Sequence, residues 1–307
     1  MANNDTKVTI TGATGHIGHV AAQELLKKGV AVRAIGRSAA KLKSLKEAGS
    51  EIFEASVDDA TAMAKVFAGS SAVFLLIPPN MTAPDNRAWQ KKVGEAYVQA
   101  IAKAGVPHVV FLSSIGGHLA QGTGPIQGLH LLEERLKALP AAITVECLRP
   151  VFFMENHLFG IPVIQGMNIL GGPLKGDVAI AQIATRDIGL YAAERLLAPV
   201  KGWTTTELFG PRDYSMNDSA KILGAAIGKP DLKWVQFSPA DARKGMEGMG
   251  MSPSVVADFL EMYASFNAGA VRPQNDRAKS PKTKTTLEEF ARTTFKEAFG
   301  AGVAAAH

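Results

Sequence analysis

An α/β fold, a doubly wound parallel sheet followed by a smaller C-terminal lobe, is predicted by three observations. Six strand-like segments alternate with helix-like ones between Lys7 and Pro150. The fourth strand segment, "SAVFLLIP" (71–78), is almost wholly apolar, as expected when helices cover both faces of a parallel sheet. Beyond Pro150 that alternation gives way to an irregular, glycine-containing apolar stretch.

The elements follow in order. "KVTITG" (7–12) alternates and carries β-branched residues, which specifies a strand. "HVAAQELLKKG" (19–29) has apolar residues at helical spacing and ends on glycine. "VAVRAIG" (30–36) is a second strand, and "SAAKLKSLKEAG" (38–49) a polar helix opened by Ser38 as its cap. A third strand at 51–56 and a helix at 59–69 lead to "SAVFLLIP" (71–78), an almost wholly apolar strand. A long helix (87–105), a strand (108–114), a helix (129–139) and a strand (143–150) complete the series. Right-handed crossovers join such strands into one sheet.

After the irregular stretch 151–173, residues 178–197 return to strand and then helix, with Asp187 near the helix start. The segment "TTTELFGP" (204–211), a helix at 217–228, a strand at 233–238 and helices near 239–248 and 252–268 follow. The segment 285–299 is a closing amphipathic helix capped by Thr285 or Thr286. Residues 1–150 are read as one domain and 151–307 as a mixed α/β lobe, with roughly 178–210 returning to the first domain.

Composition narrows the function classes. The 307 residues are 47% apolar and 20% charged, with a net charge of +5. No run of 18 apolar residues suits a membrane span. "MANNDTKVTI" lacks the pattern of a signal peptide. The basic residues of 272–284 read as a solvated loop, and no basic face with interleaved aromatics suggests nucleic-acid binding. The single cysteine, Cys147, lies in an apolar run and reads as a small buried hydrophobe, consistent with a reducing cytoplasm. No metal site is expected.

"TGATGHIG" carries the strongest chemical signal. It follows a strand and opens a helix, so its backbone N–H groups converge on one spot. Gly12 permits the tight turn, Gly15 leaves room for a pyrophosphate, and Gly18 lets the helix approach the sheet; Thr14, His16 and Ile17 complete the turn. Residues 1–150 are therefore expected to bind a dinucleotide. An NAD-binding unit usually carries an acid at the end of its second strand for the ribose hydroxyls. Here that strand ends "AIGRSAAK", with Arg37, Ser38 and Lys41 in place of the acid. This suits the 2′-phosphate of NADP(H) over NAD(H), against a plainly solvated basic loop tip. Arg33, on the strand itself, has either orientation open.

"TGATGHIG", "VRAIGRS", "AVFLLIPP", "HVVFLSSIGG" and "LRPVFFMEN" together resemble the NmrA-like group of atypical short-chain dehydrogenases, and "ATRDIGLYAAERLL" matches that group's later strand–helix unit. The resemblance covers essentially the whole chain. It implies a Rossmann-type domain with a small C-terminal substrate lobe. It implies either NADPH-dependent reduction of quinones or dyes, or a non-catalytic dinucleotide sensor that acts on a protein partner. One departure lies after the third strand. "ASVDD" has Ser56 where relatives carry an acid, which leaves Val57 and Asp58 as the expected adenine contacts.

The other departure concerns catalysis. Ordinary short-chain dehydrogenases use Tyr-x-x-x-Lys to move a proton. None of the four tyrosines, Tyr97, Tyr191, Tyr214 and Tyr263, has a lysine four residues on. In "GLHLLEERLKAL", His130 and Glu134 fall about where that pair would stand, one turn apart, and are the candidate proton carriers. Ser113 and Ser114 end the strand where the superfamily places its polarising serine; Ser113 is expected at the cofactor and Ser114 in catalysis. Reduction of an electron-poor acceptor needs no strong acid, so a quinone, dye or enone fits better than an alcohol–ketone pair. Ile77, Pro78 and Pro79 are expected to line the cofactor. Asn80, Ile115, Gly116, Phe152, Phe153, Met154 and Asn156 are expected to line the pocket for a small-molecule acceptor, at least one of the Phe–Phe–Met cluster packing as core instead. The reductase reading predicts NADPH consumption; the sensor reading predicts an exposed partner surface.

Overall fold

The computed structural model describes residues 6–302. Met1–Asp5, on which part of the signal-peptide reading rests, lie outside them. The first half runs β1 (Lys7–Ile10), α1 (His16–Lys27), β2 (Ala31–Gly36), α2 (Lys43–Glu47), β3 (Glu51–Glu54), α3 (Ala60–Phe67), β4 (Ala72–Leu75), α4 (Asn86–Ala104), β5 (His108–Leu112), α5 (Ile126–Lys137) and β6 (Thr144–Pro150). It continues with β7 (Phe152–Phe153), α6 (Ile161–Met167), β8 (Leu170–Gly172), β9 (Ile180–Ile183), α7 (Thr185–Leu197), β10 (Trp203–Leu208), β11 (Asp213–Tyr214), α8 (Met216–Ala226), β12 (Trp234–Gln236), α9 (Pro239–Gly248), α10 (Pro253–Asn267), α11 (Leu287–Phe290) and α12 (Lys296–Gly300).

Seven parallel strands form the central sheet in the order β10-β6-β5-β4-β1-β2-β3. The order reverses between β1 and β4, the switch point at which such sheets open a crevice. Alternate strand residues feed two cores. Ala72 and Phe74 join Ile17, Ala21 and Ile188 under α1 and α7, while Val73 and Leu75 join Met63, Tyr97 and Leu132 under α3, α4 and α5. Cys147 is buried in the second core. A three-stranded sheet, β11-β9-β7, and a two-stranded one, β12-β8, build the lobe around a third core that includes Met154, Tyr214 and Phe290.

Two local expectations are corrected. The helix expected over 38–49 is a 3₁₀ turn at Ala39–Leu42 followed by the short α2, and Ser38 stays extended with no capping hydrogen bond from its side chain. The first amide of that turn, Ala39 N–H, goes instead to the Glu54 carboxylate at 3.0 Å, and Leu42 is pulled into the core. The closing helix is interrupted by a π turn at Ala291–Phe295. Its cap is Thr286, whose hydroxyl accepts from Glu289 N–H at 3.1 Å, while Thr285 donates its N–H and hydroxyl to Asp187.

Candidate functional site

The site is built outward from the β1–α1 turn. Gly12 has φ +62, and a side chain there would also run into Leu76, so glycine is required twice over. A Cβ on Gly18 would stand 2.5 Å from the Gly12 carbonyl oxygen; this glycine seats the helix on the turn. Gly15 differs. Its backbone is extended, and a Cβ there would meet only the Gly12 oxygen, at 3.5 Å. The space its missing side chain leaves therefore faces outward, over the start of α1. That helix has no side-chain cap, so its first amides lack an intrahelical acceptor. An uncapped helix start beside an open glycine face fits the pyrophosphate of a dinucleotide. Thr11 ties the turn to β4, donating to Phe74 O at 3.0 Å and accepting from Leu76 N–H at 3.2 Å. Thr14 and His16 are exposed on the outer side and Ile17 is buried beneath.

Along the β2 and β3 ends, Arg37 and Lys41 are exposed, and among the described residues neither side chain has a hydrogen bond or ion pair. Arg33 takes the other open orientation: it donates to Glu51 at 2.7 Å and to the carbonyls of Val66 and Ala68. Val57 is buried. Lys92 donates to Asp58 at 2.7 Å and Ser56 hydrogen-bonds its other oxygen; these two hydrogen bonds hold the Asp58 carboxyl below its usual range.

After β4, Ile77 and Pro78 are partly buried and Pro79 is exposed; the Pro78 carbonyl accepts from the Trp89 indole at 3.1 Å. Asn80 accepts from the Thr82 hydroxyl. After β5, Ser113 turns inward and donates to Glu133 at 2.5 Å, while Ser114 donates to the neighbouring Ile115 carbonyl. Ile115 packs with Ile126 and Val271, and Gly116, at φ +83, lies against Val271. These two residues close the loop as packing.

His130 and Glu134 are not brought together as a hydrogen-bonded pair. His130 Nδ1 donates to the Gly117 carbonyl at 2.9 Å, which leaves Nε2 as its basic nitrogen. Glu134 is exposed with no partner among the described residues. The cause is the rotation of α5. Burying Leu132 and Leu136 carries Glu133 inward and turns Glu134 to solvent. Glu133 takes both Nε–H (2.9 Å) and a terminal N–H of Arg149 in a buried ion pair. Nearby, Glu207 is buried and accepts the backbone N–H groups of Gln274 and Asn275. His118 adjoins this cluster; burial, with Arg149 beside it, lowers its pKa. Its Nδ1 is buried without a partner among the described residues. Glu133 was missed because one residue of helix rotation decides which of two adjacent glutamates is inside.

After β6, Phe152 and Phe153 form β7 against β9, and the Phe152 ring tilts on His157 at 5.6 Å. Met154 is fully buried in the lobe core, and Phe153 packs on the first core, so both serve packing. Asn156 is exposed. Its neighbour Glu155 accepts the N–H and hydroxyl of Thr185, capping α7. Burial raises the Glu155 pKa, opposed in part by the Thr185 hydrogen bonds and by nearby His16.

A further element roofs the loops. Ser252, the cap of α10, donates its N–H to Met81 O (2.9 Å) and its hydroxyl to Ala83 O (2.6 Å), both in the loop after β4. Further along, Met262 and Phe266 pack with Ile115, in the loop after β5, and with Val271, just beyond α10. Arg87 locks the roof down, reaching Asp258 and Glu261 on α10 and Gln127 on α5. No sequence signal placed α10 there, because the hydrogen bonds that tie it to α4, α5 and the loop after β4 join residues 134 to 174 positions apart along the chain.

Comparison with known proteins agrees with this geometry. A family model, the NmrA-like family, matches residues 4–291. NAD(P)H azoreductase from Xenophilus azovorans is 28% identical over 258 residues, spanning 84% of this chain and 86% of that protein. Quinone oxidoreductase 2 from Escherichia coli is 26% identical over 260 residues, spanning 82% and 85%. The solved structure of a triphenylmethane reductase from Citrobacter sp. matches with a TM-score of 0.78 at 21% identity, covering 95% of this chain and 99% of that one. The uncapped glycine turn, the seven-stranded parallel sheet and the lobe with its roofing helix accordingly place this chain in the NmrA-like family.

Proposed function

We propose that this protein is an NADPH-dependent reductase of an electron-poor small molecule, of the quinone or dye class. The observation that carries the reading is the glycine turn, where the outward face of Gly15 adjoins the uncapped start of α1. The α1 amides hold the pyrophosphate, and Arg37, free of any partner among the described residues, takes the 2′-phosphate. Ser38 and Lys41 border that phosphate, Val57 the adenine, and Ile77, Pro78 and Pro79 the nicotinamide side. Three similar proteins support the reaction class: by name they reduce azo compounds, quinones and triphenylmethane dyes. When bound, the cofactor supplies the hydride; the protein orients it and the acceptor.

The absence of a Tyr-x-x-x-Lys pair fits this class, since a quinone needs little acid catalysis. His130 Nε2 has no partner among the described residues, and with Glu134 turned to solvent it works without that carboxylate. Purified protein, assayed for NADPH consumption against quinones, azo compounds and triphenylmethane dyes, tests the reading. Turnover of one class is expected. NADPH binding with no turnover of any acceptor would sink the reductase in favour of a dinucleotide sensor.

A further inference from the structure

The four tyrosines differ sharply in what holds their hydroxyls. Tyr97 donates to Leu76 O at 2.9 Å, and Tyr214 donates to Glu288 and accepts from Leu287 N–H. Tyr191 lies on α7 beside Thr206, on the far side of the sheet from α10. Tyr263 is partly buried, yet its hydroxyl makes no hydrogen bond to any described residue. A half-buried phenol with no partner among the described residues has a donor to offer to something else.

Its position says to what. Tyr263 lies on α10, which runs from the loop after β4 to the loop after β5, above the carboxyl ends of the strands where open α/β sheets bind ligands. Two faces of α10 are occupied. Val255 and Asp258 pack inward with Met262, and Val256 and Leu260 pack against α9. Tyr263 stands between them, its ring 6.2 Å from that of Phe259. Phe266 and Asn267, its neighbours one turn on, both line a cleft with Leu174, Val178 and Met216 of the lobe. Lys175 and Ile180 complete the cleft wall, and Tyr263 stands one helical turn before the two α10 residues that line it.

We propose that the Tyr263 hydroxyl donates a hydrogen bond to the acceptor oxygen that becomes negative during reduction. The assignment rests on the reductase reading above and adds a residue to it. Hydride addition to a quinone gives a hydroquinone monoanion, and water supplies the proton that completes the hydroquinone. The phenol stabilises that anion without giving up its own proton. Burial, which pushes its pKa to about 12, keeps it a donor throughout. A cationic triphenylmethane dye is different: hydride addition at its central carbon gives a neutral product, and no anion needs a donor.

The test compares the parent with Tyr263→Phe, which keeps the ring and removes one oxygen. Quinone kcat/KM should fall about a hundredfold, the lower range for removal of one oxyanion donor. Dye reduction and NADPH affinity should stay within about twofold. A parallel loss on both acceptors would show a merely structural role and overturn the proposal. A second readout needs no turnover: calorimetric binding of 4-nitrophenolate to the NADP⁺-loaded protein should weaken about tenfold or more in the variant, the scale of one charge-assisted hydrogen bond. This binding decides wherever the parent turns over only one acceptor, or neither. If the parent turns over nothing but phenolate binding depends on Tyr263, the reductase reading fails and the anion donor stands. Equal phenolate binding by both proteins, or none by the parent, overturns the donor.

Discussion

Replacing Gly15 by valine separates binding from folding at a single atom position. The backbone there is extended, with φ −95 and ψ 170, a region a β-branched residue adopts readily. The nearest protein atom to a Cβ would be Gly12 O at 3.5 Å, an ordinary contact. The folded state therefore accepts the side chain, and the loss of glycine's freedom in the unfolded chain favours folding by about 0.4–1 kcal/mol. The ligand does not accept it, because the valine methyls fill the space over the first amides of α1. Hydrogen bonds to a charged group are worth about 1.5–3 kcal/mol each. Holding the pyrophosphate off two amides removes about 3–6 kcal/mol, or about 10²–10⁴ in Kd. Calorimetric titration with NADPH and a thermal melt of the ligand-free protein read the two quantities. Expected are a lost or strongly weakened titration and an unchanged or slightly raised Tm. Gly18→Ala is the counterpart, since its Cβ would sit 2.5 Å from Gly12 O and should lower Tm first. Unchanged NADPH affinity in Gly15→Val, or a Tm loss as large as that of Gly18→Ala, would refute the reasoning.

Other consequences concern specificity, pH and the roof. Arg37→Glu should lower the NADPH-over-NADH preference by about tenfold or more, the scale of one charge-assisted hydrogen bond; an unchanged ratio of the two Kd values counts against the assignment. His157 donates from Nε2 to Gln182, whose own amide donates to Ser219, so protonating its ring means charging a buried group. Burial pushes its pKa from 6.5 down to about 4. The unfolded chain binds the proton first, so the stability is full above about pH 6.5 and is lost as pH falls toward 4, by at most about 3 kcal/mol. Urea melts at pH 7 and pH 5 should show a smaller pH difference in His157→Gln than in the parent. Arg87→Ala leaves the buried Asp258 carboxylate without its cation and should cost about 1–3 kcal/mol. Limited proteolysis should then cut within α10 earlier; identical cleavage would mean α10 is held by packing alone.

The architecture of the first 150 residues was legible because its signals are local. A β-branched run, a glycine turn and a helical repeat constrain neighbouring residues directly, and the parallel sheet follows from their alternation. Gly12, Gly15 and Gly18 stood out for the same reason; the turn itself requires Gly12 and Gly18, while a side chain on Gly15 would meet no protein atom closer than 3.5 Å. What lay beyond local reach was orientation and long-range contact. Whether Glu133 or Glu134 faces inward depends on how α5 rotates to bury Leu132 and Leu136, and neighbouring glutamates look alike in one dimension. Ser38 reads as a cap until Glu54, on the adjacent strand, takes the first amide of the turn. Tyr263 carries no motif at all. Only the packing of α10 across the loops after β4 and β5 sets it over the carboxyl ends of the strands, because contacts between residues distant in sequence are set by which apolar faces bury each other and not by any local spacing.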